Sequence, residues 1–582
     1  MEMNLFNDLD KHFSAFSLQK FESHHLLLEQ GSLANGCYLL VQGKVKAQVN
    51  EAELERSAWL DLQFNEGQLL AAKETFTKQP ANYSLICDGP VEARFIAYDD
   101  LKTLMQNQPD VYAMIIESMA QQFSHLEHTQ INQALASAPI KEVDFIVANA
   151  KQAHLEIQSY SEKKIDAIIS AVAEAVAEQA DNLSKLTVAE SYMGVAEHKI
   201  EKIKLGTLAV AEDLVGKPGV GSVIEDRDTV KGIANSMGTV FAMIPVTNPV
   251  ETLTFKFLIA LKSRNAVIMS SHRKARNVGE QTVNIIQSVL KEMGAPVNLV
   301  QTTQLPASRA LTNAFMVHPD VNFILATGGP SMVKSAYQSG TPAIGVGKGN
   351  APVWVTNNCD LNKAAQDIIF SKSFDNGIVC GSENNLLVDA EIYSDFLQTA
   401  EQHGAAVLSA IEVDALLDAL FSKGALNSDW VGKSAQDVCD AVGITRDYPI
   451  KLVLAPVPEH SENSPLLKEK LVPILSVSKM HDPQQALTMA KAILDDEGAG
   501  HTAIIHCDDP SQVEAFSKVV DVSRILVNTP GTLGCIGANN GLELSWTLGC
   551  GTQGGGATSD NVGYKHLLNI KRIAYPSEPA ND

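Results

Sequence analysis

Long apolar runs are missing from this sequence. No stretch of about 18 apolar residues occurs, so no membrane-spanning helix is expected. The first residues, Met1-Glu2-Met3-Asn4-Leu5-Phe6-Asn7-Asp8, carry no apolar signal core. Cysteine is scarce. The eight in 582 residues, at 37, 87, 359, 380, 439, 507, 535 and 550, are too scattered for a metal cluster or a disulfide framework. Free thiols in a reducing cytoplasm are the expectation. The fifteen histidines show no metal-site spacing. Positive charge is in deficit: 45 Lys and Arg stand against 68 Asp and Glu, a net charge of -23. That balance argues against nucleic acid or an anionic membrane as the main partner, while an anionic small molecule needs only a local positive site. What remains, 45% hydrophobic and 19% charged, is an ordinary globular chain with length for about three domains.

The pattern changes along the chain. Up to about residue 128, short alternating segments (Leu26 to Leu28, Cys37 to Val41, Lys44 to Val49) are punctuated by Gly31, Gly36, Gly43, Gly67 and Gly89. Such strands with glycine turns predict a small β-roll. Apolar spacing then predicts a helix from Asp99 to His128, and the polar stretch 129 to 139 reads as a linker. Beyond it, Ile165, Ile168, Ile169, Val172 and Val176 share one helix face. From Thr239 strands and helices alternate. Strands are expected at 240 to 246, 266 to 269, 297 to 300, 322 to 326 and 342 to 346. Helices are expected at 251 to 261, 275 to 293, 307 to 315 and 330 to 338. This rhythm predicts a parallel sheet covered by helices, the usual nucleotide-binding architecture. A second α/β block runs from about Ala351 to Pro530, then a glycine-dense tail and a β-like arm, Leu567 to Tyr575.

Cys380 stands out in Ser373-Phe374-Asp375-Asn376-Gly377-Ile378-Val379-Cys380-Gly381-Ser382-Glu383. Glycines on both sides leave the thiol approachable, as thiolate chemistry requires. A buried structural cysteine is the ordinary alternative.

In the first segment, Leu28-Glu29-Gln30-Gly31, Tyr38 through Val45 and Phe64-Asn65-Glu66-Gly67 resemble the hairpin and lead-in of a cyclic-nucleotide-binding domain. The resemblance covers residues 22 to 105 and breaks at the phosphate cassette. Leu70-Ala71-Ala72 and Gln79-Pro80-Ala81-Asn82 replace that family's Gly-Glu pair and phosphate-binding Arg. A phosphate there lacks a charge-assisted hydrogen bond worth about 1.5–3 kcal/mol. The domain is therefore expected not to bind cAMP strongly and to serve as a structural or protein-contact module.

Six stretches occur in one order: Ile244-Pro245-Val246-Thr247-Asn248-Pro249, Leu325 through Pro330, Ile344 through Pro352, the Cys380 segment, Gly498-Ala499-Gly500-His501-Thr502 and Thr547-Leu548-Gly549-Cys550-Gly551. Together they resemble the aldehyde dehydrogenase superfamily over residues 140 to 575, above all its coenzyme A-acylating branch. The resemblance implies an α/β fold with a Rossmann-like cofactor domain and an α/β catalytic domain, behind the small β-roll domain at 1–128. An NAD-binding region is expected at 140–350 and 500–540, and a catalytic domain at 351–499. A substrate-pocket loop with an oligomerisation arm at 541–582 suggests a homodimer or homotetramer. Cys380 is the implied nucleophile. The Asn248 amide and the Cys380 backbone N–H are the implied oxyanion donors, each worth about 2.7–4 kcal/mol. Thr327, Gly328, Gly329 and Pro330 line the implied NAD site, in place of a Gly-x-Gly-x-x-Gly turn behind a strand of that region. Glu469 holds the nicotinamide ribose. Nothing beside these residues separates NAD from NADP, so NAD rests on family habit. Lys262, Arg264, His272 and Arg273 either meet anionic ligand groups or, as the better reading, are solvated surface charges. No metal is implied.

An absence decides the product. Hydrolytic members carry a glutamate that activates water, and here Val346 holds that place, where it cannot be a base. The acyl-enzyme is then expected to wait for the thiol of coenzyme A. His501 either accepts a proton from that thiol or from Cys380, given an ordinary pKa near neutrality, or is a core histidine. Cys550 is expected to be structural or pocket-lining. With no alcohol dehydrogenase domain in the sequence, interconversion of aldehyde and acyl-CoA without alcohol formation is expected. Acetaldehyde or a short anionic aldehyde fits. A hydrolytic enzyme, or a regulatory scaffold with an inactive dehydrogenase fold, is the competing expectation.

Overall fold

A computed structural model describes the chain except residues 1–8, 52–55, 109, 117–118, 120–127, 304–307, 423, 459–460, 462 and 578–582. The chain divides into two compact units, Met1–Glu142 and Val143–Asp582.

The first unit is a roll of two antiparallel four-stranded sheets. One orders Leu18–Phe21, Val91–Ala97, Gly36–Gln42 and Leu69–Leu70; the other orders Leu26–Leu28, Ser84–Cys87, Val45–Glu51 and Arg56–Phe64. Leu28, Leu40, Val45, Phe64, Leu70, Leu85 and Val91 fill one apolar core. The helix expected to run from Asp99 to His128 is shorter, Tyr98–Asn107. Gln108 is extended (φ -135°, ψ 90°), as a residue before proline prefers. Residues 109, 117–118 and 120–127 of that expectation lie outside the described residues. The expected linker at 129–139 is helical, within His128–Ile157. Its alanines and glutamines favour helix over coil, and the division between units falls at 142 rather than at 128.

In the second unit, five parallel strands form one sheet in the order Val300–Thr302, Ala266–Ser271, Thr239–Ile244, Phe323–Thr327, Ala343–Val346. Thr239–Ile244 is buried at every residue, as a central strand covered on both faces must be. Chain order moves outward from this strand to one side, then returns to its other side at Phe323–Thr327. The carboxyl ends of these two strands therefore flank a topological switch point, where open α/β sheets bind ligands. Strand Val300–Thr302 begins later than expected because Val297–Leu299 is a 3-10 turn behind Pro296. The expected helix start at Ala307 is outside the described residues, and the helix is Arg309–Met316.

Seven parallel strands form the second sheet, in the order Ala405–Val407, Leu452–Pro456, Ile474–Met480, Glu383–Asp389, Ala351–Val355, Gly500–His506, Val522–Val527. This corrects the expected assignment of 500–540 to the NAD-binding region. Gly500–His506, buried at every residue, pairs with Ala351–Val355 and adds itself and Val522–Val527 to the seven-stranded sheet. The C-terminal strand Leu568–Ala574 pairs antiparallel with Val230–Ser236, which pairs with Val223–Arg227. Among the described residues no helix is long and apolar enough to cross a membrane.

Candidate active site

The switch point opens into a cavity of about 530 Å³. It is lined by Asn248, Thr327, Gly328, Gly329, Val346, Cys380 and Glu469, which the sequence holds apart by up to 221 positions (469 - 248). Pro330 and His501 are not among the lining residues.

Asn248 caps the helix Pro249–Lys262, with Pro249 at the first helical position. Its Nδ2 donates to Thr247 Oγ1 at 3.0 Å, which uses one of two amide hydrogens. Its Oδ1 is buried without a protein partner.

Cys380 is delivered by a sharp turn and precedes the buried strand Glu383–Asp389. The thiol is partly buried. Burial first, and then the Glu469 carboxylate, push it up to about 12, with Arg524 opposing. It is therefore a protonated thiol at neutral pH. The Cys380 carbonyl lies against Gly349, where an added Cβ would sit 1.9 Å from the oxygen. Only glycine fits there, and Gly349 packs directly on the Cys380 backbone.

Glu469 is the single carboxylate among the lining residues. Its Oε1 accepts the Gly349 N–H at 3.1 Å, and its own N–H donates to Glu497 Oε2 at 2.8 Å. Lys348 pairs with Glu497 at 2.9 Å. Burial raises Glu469 to about 7 although Lys348 opposes the shift.

Gly328 and Gly329 present bare backbone. A Cβ on Gly328 would come no nearer than 3.9 Å to another atom, and on Gly329 would meet nothing within 4 Å. Packing does not demand glycine here, so the open backbone is free for a ligand. Gly329 also caps the nine-residue helix Pro330–Gln338, whose N-terminal N–H groups favour an anion. This geometry suits the pyrophosphate of a nicotinamide dinucleotide. Thr327 is held by Lys256, a residue missed in the sequence. Its fully buried Nζ donates to Thr327 Oγ1 (2.9 Å), Met243 O (2.8 Å) and Leu325 O (3.2 Å), and burial lowers its pKa to about 7.

His272 and Arg273, at the end of Ala266–Ser271, line the cavity. Lys262 and Arg264 do not, and they are not solvated charges either. Lys262 is fully buried against Asp166 at 2.6 Å, and Arg264, 8% exposed, pairs with Glu162 at 2.6 Å. Both fold back onto the helix Glu162–Glu178.

His501 departs from its expected near-neutral titration. Burial, then the Arg524 charge, lower it to about 3. Its Nδ1 meets Thr502 Oγ1 at 2.9 Å, and its Nε2 is buried without a partner. The ring flanks Gly349 and Gly381, 3.6 Å from a Cβ placed on either. Cys550, 2% exposed, contacts Leu548 O at 3.4 Å and is not a lining residue. Ile536, Trp546 and Leu548, which the sequence did not single out individually as lining groups, form apolar wall.

Residues 118–558 match the aldehyde dehydrogenase family, and the chain belongs to it. Residues 18–108 match the cyclic nucleotide-binding domain. Among relatives, the bifunctional aldehyde-alcohol dehydrogenase AdhE of Escherichia coli (strain K12) is 37% identical over 451 residues, covering 76% of this chain and 50% of AdhE. The chain thus spans about half the length of that bifunctional relative. The acetylating succinate-semialdehyde dehydrogenase of Clostridium kluyveri is 36% identical over 437 residues, 75% of this chain and 96% of that protein. The solved acetylating aldehyde dehydrogenase of Geobacillus thermoglucosidasius, 36% identical, superposes with a TM-score of 0.74 over 77% of this chain and 99% of that one.

Proposed function

We propose that the second unit interconverts a short, uncharged aldehyde and its acyl-coenzyme A thioester, with NAD as the redox partner and the acyl group carried on Cys380. The observation that carries this reading is the shared cavity of Cys380, Asn248 and the bare Gly328-Gly329 backbone, with Val346 at its wall. Thr327, Gly328, Gly329 and the N-terminus of the helix behind Pro330 hold the dinucleotide phosphates, and Glu469 holds the nicotinamide ribose. When bound, the nicotinamide supplies the hydride-accepting ring.

Cys380 loses its proton to solvent and its sulfur attacks the aldehyde carbon. The second Asn248 Nδ2 hydrogen and the Cys380 N–H meet the oxyanion. Loss of hydride from the carbon leaves a thioester on Cys380. Val346 offers water no base. Glu469 sits in the cavity, but its Oε1 is engaged by Gly349. The coenzyme A thiol then attacks the thioester carbon, the Cys380 thiolate leaves, and the proton given up by coenzyme A restores the Cys380 thiol. His501, neutral and with Nε2 free, is positioned beside the Cys380 turn to take a proton, as a weak base.

The aldehyde reading rests on the wall. Ile378, Val379, Ile536, Trp546 and Leu548 are apolar. The cations Arg273 and Arg309 follow Ala266–Ser271 and Val300–Thr302, at the sheet edge opposite Val346. Lys348 is paired with Glu497. Among the described residues that line the cavity, none on the Val346 side is therefore an unpaired cation to receive an anionic tail. We further place the protein in a reducing cytoplasm, as a homodimer or homotetramer built through Leu568–Ala574, with a first unit that does not bind cAMP.

The test is NADH formation from acetaldehyde, propionaldehyde, succinate semialdehyde and sulfoacetaldehyde, with and without coenzyme A. Turnover with the first two, dependent on coenzyme A and lost in Cys380→Ala, is expected. NADH turnover without coenzyme A overturns the acylating reading.

A further inference from the structure

Five positions before Cys380 lies a buried carboxylate that the proposed reaction leaves unused. Asp375 Oδ2 takes Lys199 Nζ at 2.9 Å and Lys202 Nζ at 2.5 Å, and its Oδ1 takes the Val195 N–H at 2.8 Å. All three charged side chains are buried. Lys202 also lies 3.3 Å from buried Glu251. The Asp375 N–H donates to His198 Nδ1 at 2.9 Å, and the His198 ring stacks on Phe374 with centroids 4.7 Å apart. His198, Lys199 and Lys202 belong to one helix, Ala196–Lys204, which therefore grips the Cys380 segment by backbone, ring and charge. Burial opposes ionisation of Asp375, yet Lys202 and Lys199 hold its carboxyl below the ordinary range.

Two observations connect this cluster to the chemistry. Asp375, Asn376 and Gly377 are consecutive left-handed residues, with φ of 49°, 54° and 70°. Side-chain-bearing residues adopt that conformation at a cost and keep it only where their surroundings fix it. This turn is what sends Ile378, Val379 and Cys380 to the cavity wall. Second, Lys199 Nζ also reaches the Thr247 carbonyl at 3.3 Å, one residue before Asn248. One ammonium thus touches both the segment that carries the nucleophile and the segment that carries the oxyanion donor.

We propose that Asp375 is a positioning residue: with Lys199 and Lys202 it locks the Cys380 turn at a fixed separation from the Asn248 turn. The proposal rests on the reading of Cys380 as nucleophile.

Asp375→Asn keeps the shape and removes the charge. In the full chain, coenzyme A-dependent acetaldehyde oxidation should lose about 100-fold in kcat, the scale of a misplacement of about 1 Å. NADH affinity, read by fluorescence titration, should stay within about twofold, since the cluster does not line the dinucleotide backbone at Gly328 and Gly329. The thermal unfolding profile should match that of the unsubstituted chain. An unchanged kcat overturns the proposal, as does a loss of kcat matched by equal loss of NADH affinity, which marks a merely structural group. If this variant does not fold, Lys199→Met decides, because it leaves the Lys202–Asp375 pair. Reduced kcat with unchanged NADH affinity supports positioning, and wild-type kcat overturns it. Cys380→Ala, run in parallel, separates the two readings: turnover retained there defeats the nucleophile assignment whatever the Asp375 variant does.

Discussion

At the scale of single residues, the reactive thiol is not pre-ionised. Burial and the Glu469 carboxylate both disfavour the thiolate of Cys380, which is pushed up to about 12. The sign follows directly: the thiolate is the minor form at neutral pH, and its fraction rises about tenfold for each pH unit below that value. Alkylation of Cys380 by iodoacetamide in the cofactor-free enzyme, followed by peptide mass spectrometry, should therefore climb steadily from pH 7 to pH 10. A plateau below pH 9 would contradict this environment. Cys380, Asn248 and Glu469 could be picked out in the sequence because each sits in a distinctive local string. Lys256 and Asp375 could not. A lysine on a helix reads as a solvated charge, and only the packing of the helix Pro249–Lys262, buried at every position, turns Lys256 into a strut.

At the scale of elements, continuous apolar runs gave away most strands of the two parallel sheets. Helix Pro330–Gln338 was legible at both ends, from proline at its start and the glycine-containing turn beyond it. The misses have physical causes. Ala405–Val407 is a three-residue edge strand, too short for a pattern. Val223–Arg227 is largely solvated, Val230–Ser236 is mostly half-buried, and neither carries a clean apolar alternation in its sequence. The placement of Gly500–His506 was misread because parallel strand order is set by crossovers and not by sequence neighbourhood. One element carries a prediction of its own. The strand Ala266–Ser271 ends in Ser271-His272-Arg273, with no carboxylate to select a ribose 2′-hydroxyl, and with His272 and Arg273 at the cavity. NADP should therefore support turnover with kcat/KM within about tenfold of NAD in a direct comparison. A preference for NAD of several orders of magnitude would show that another group does the selecting.

At the scale of the molecule, two units of different ancestry share a chain. The first has the sheets of a cyclic nucleotide-binding domain without that family's phosphate grip. Its Arg94 is tied to Asp10 Oδ1 at 2.8 Å and to Phe16 O at 2.9 Å. Buried Glu74 lies in the short helix Ala72–Thr77 of the altered cassette, and burial first, then Glu74, push the Tyr83 hydroxyl up. The altered cassette offers a cyclic phosphate no arginine. Calorimetric titration of the full chain with cAMP should give no measurable heat up to the millimolar range, about 4 kcal/mol of binding at most. Micromolar binding would restore a sensor.

Val346 has a consequence for energy as well as for product. An aldehyde dehydrogenase that hydrolyses its acyl-enzyme spends the free energy of oxidation on making a carboxylate, and the reaction cannot practically be reversed. With a valine at the wall, the proposed reaction would keep that free energy in a thioester, first on the protein and then on coenzyme A. On the proposed reaction the chain would act as a two-way exchanger between reducing equivalents and activated acyl groups, with the ratios of NADH to NAD and of acyl-CoA to coenzyme A choosing the direction.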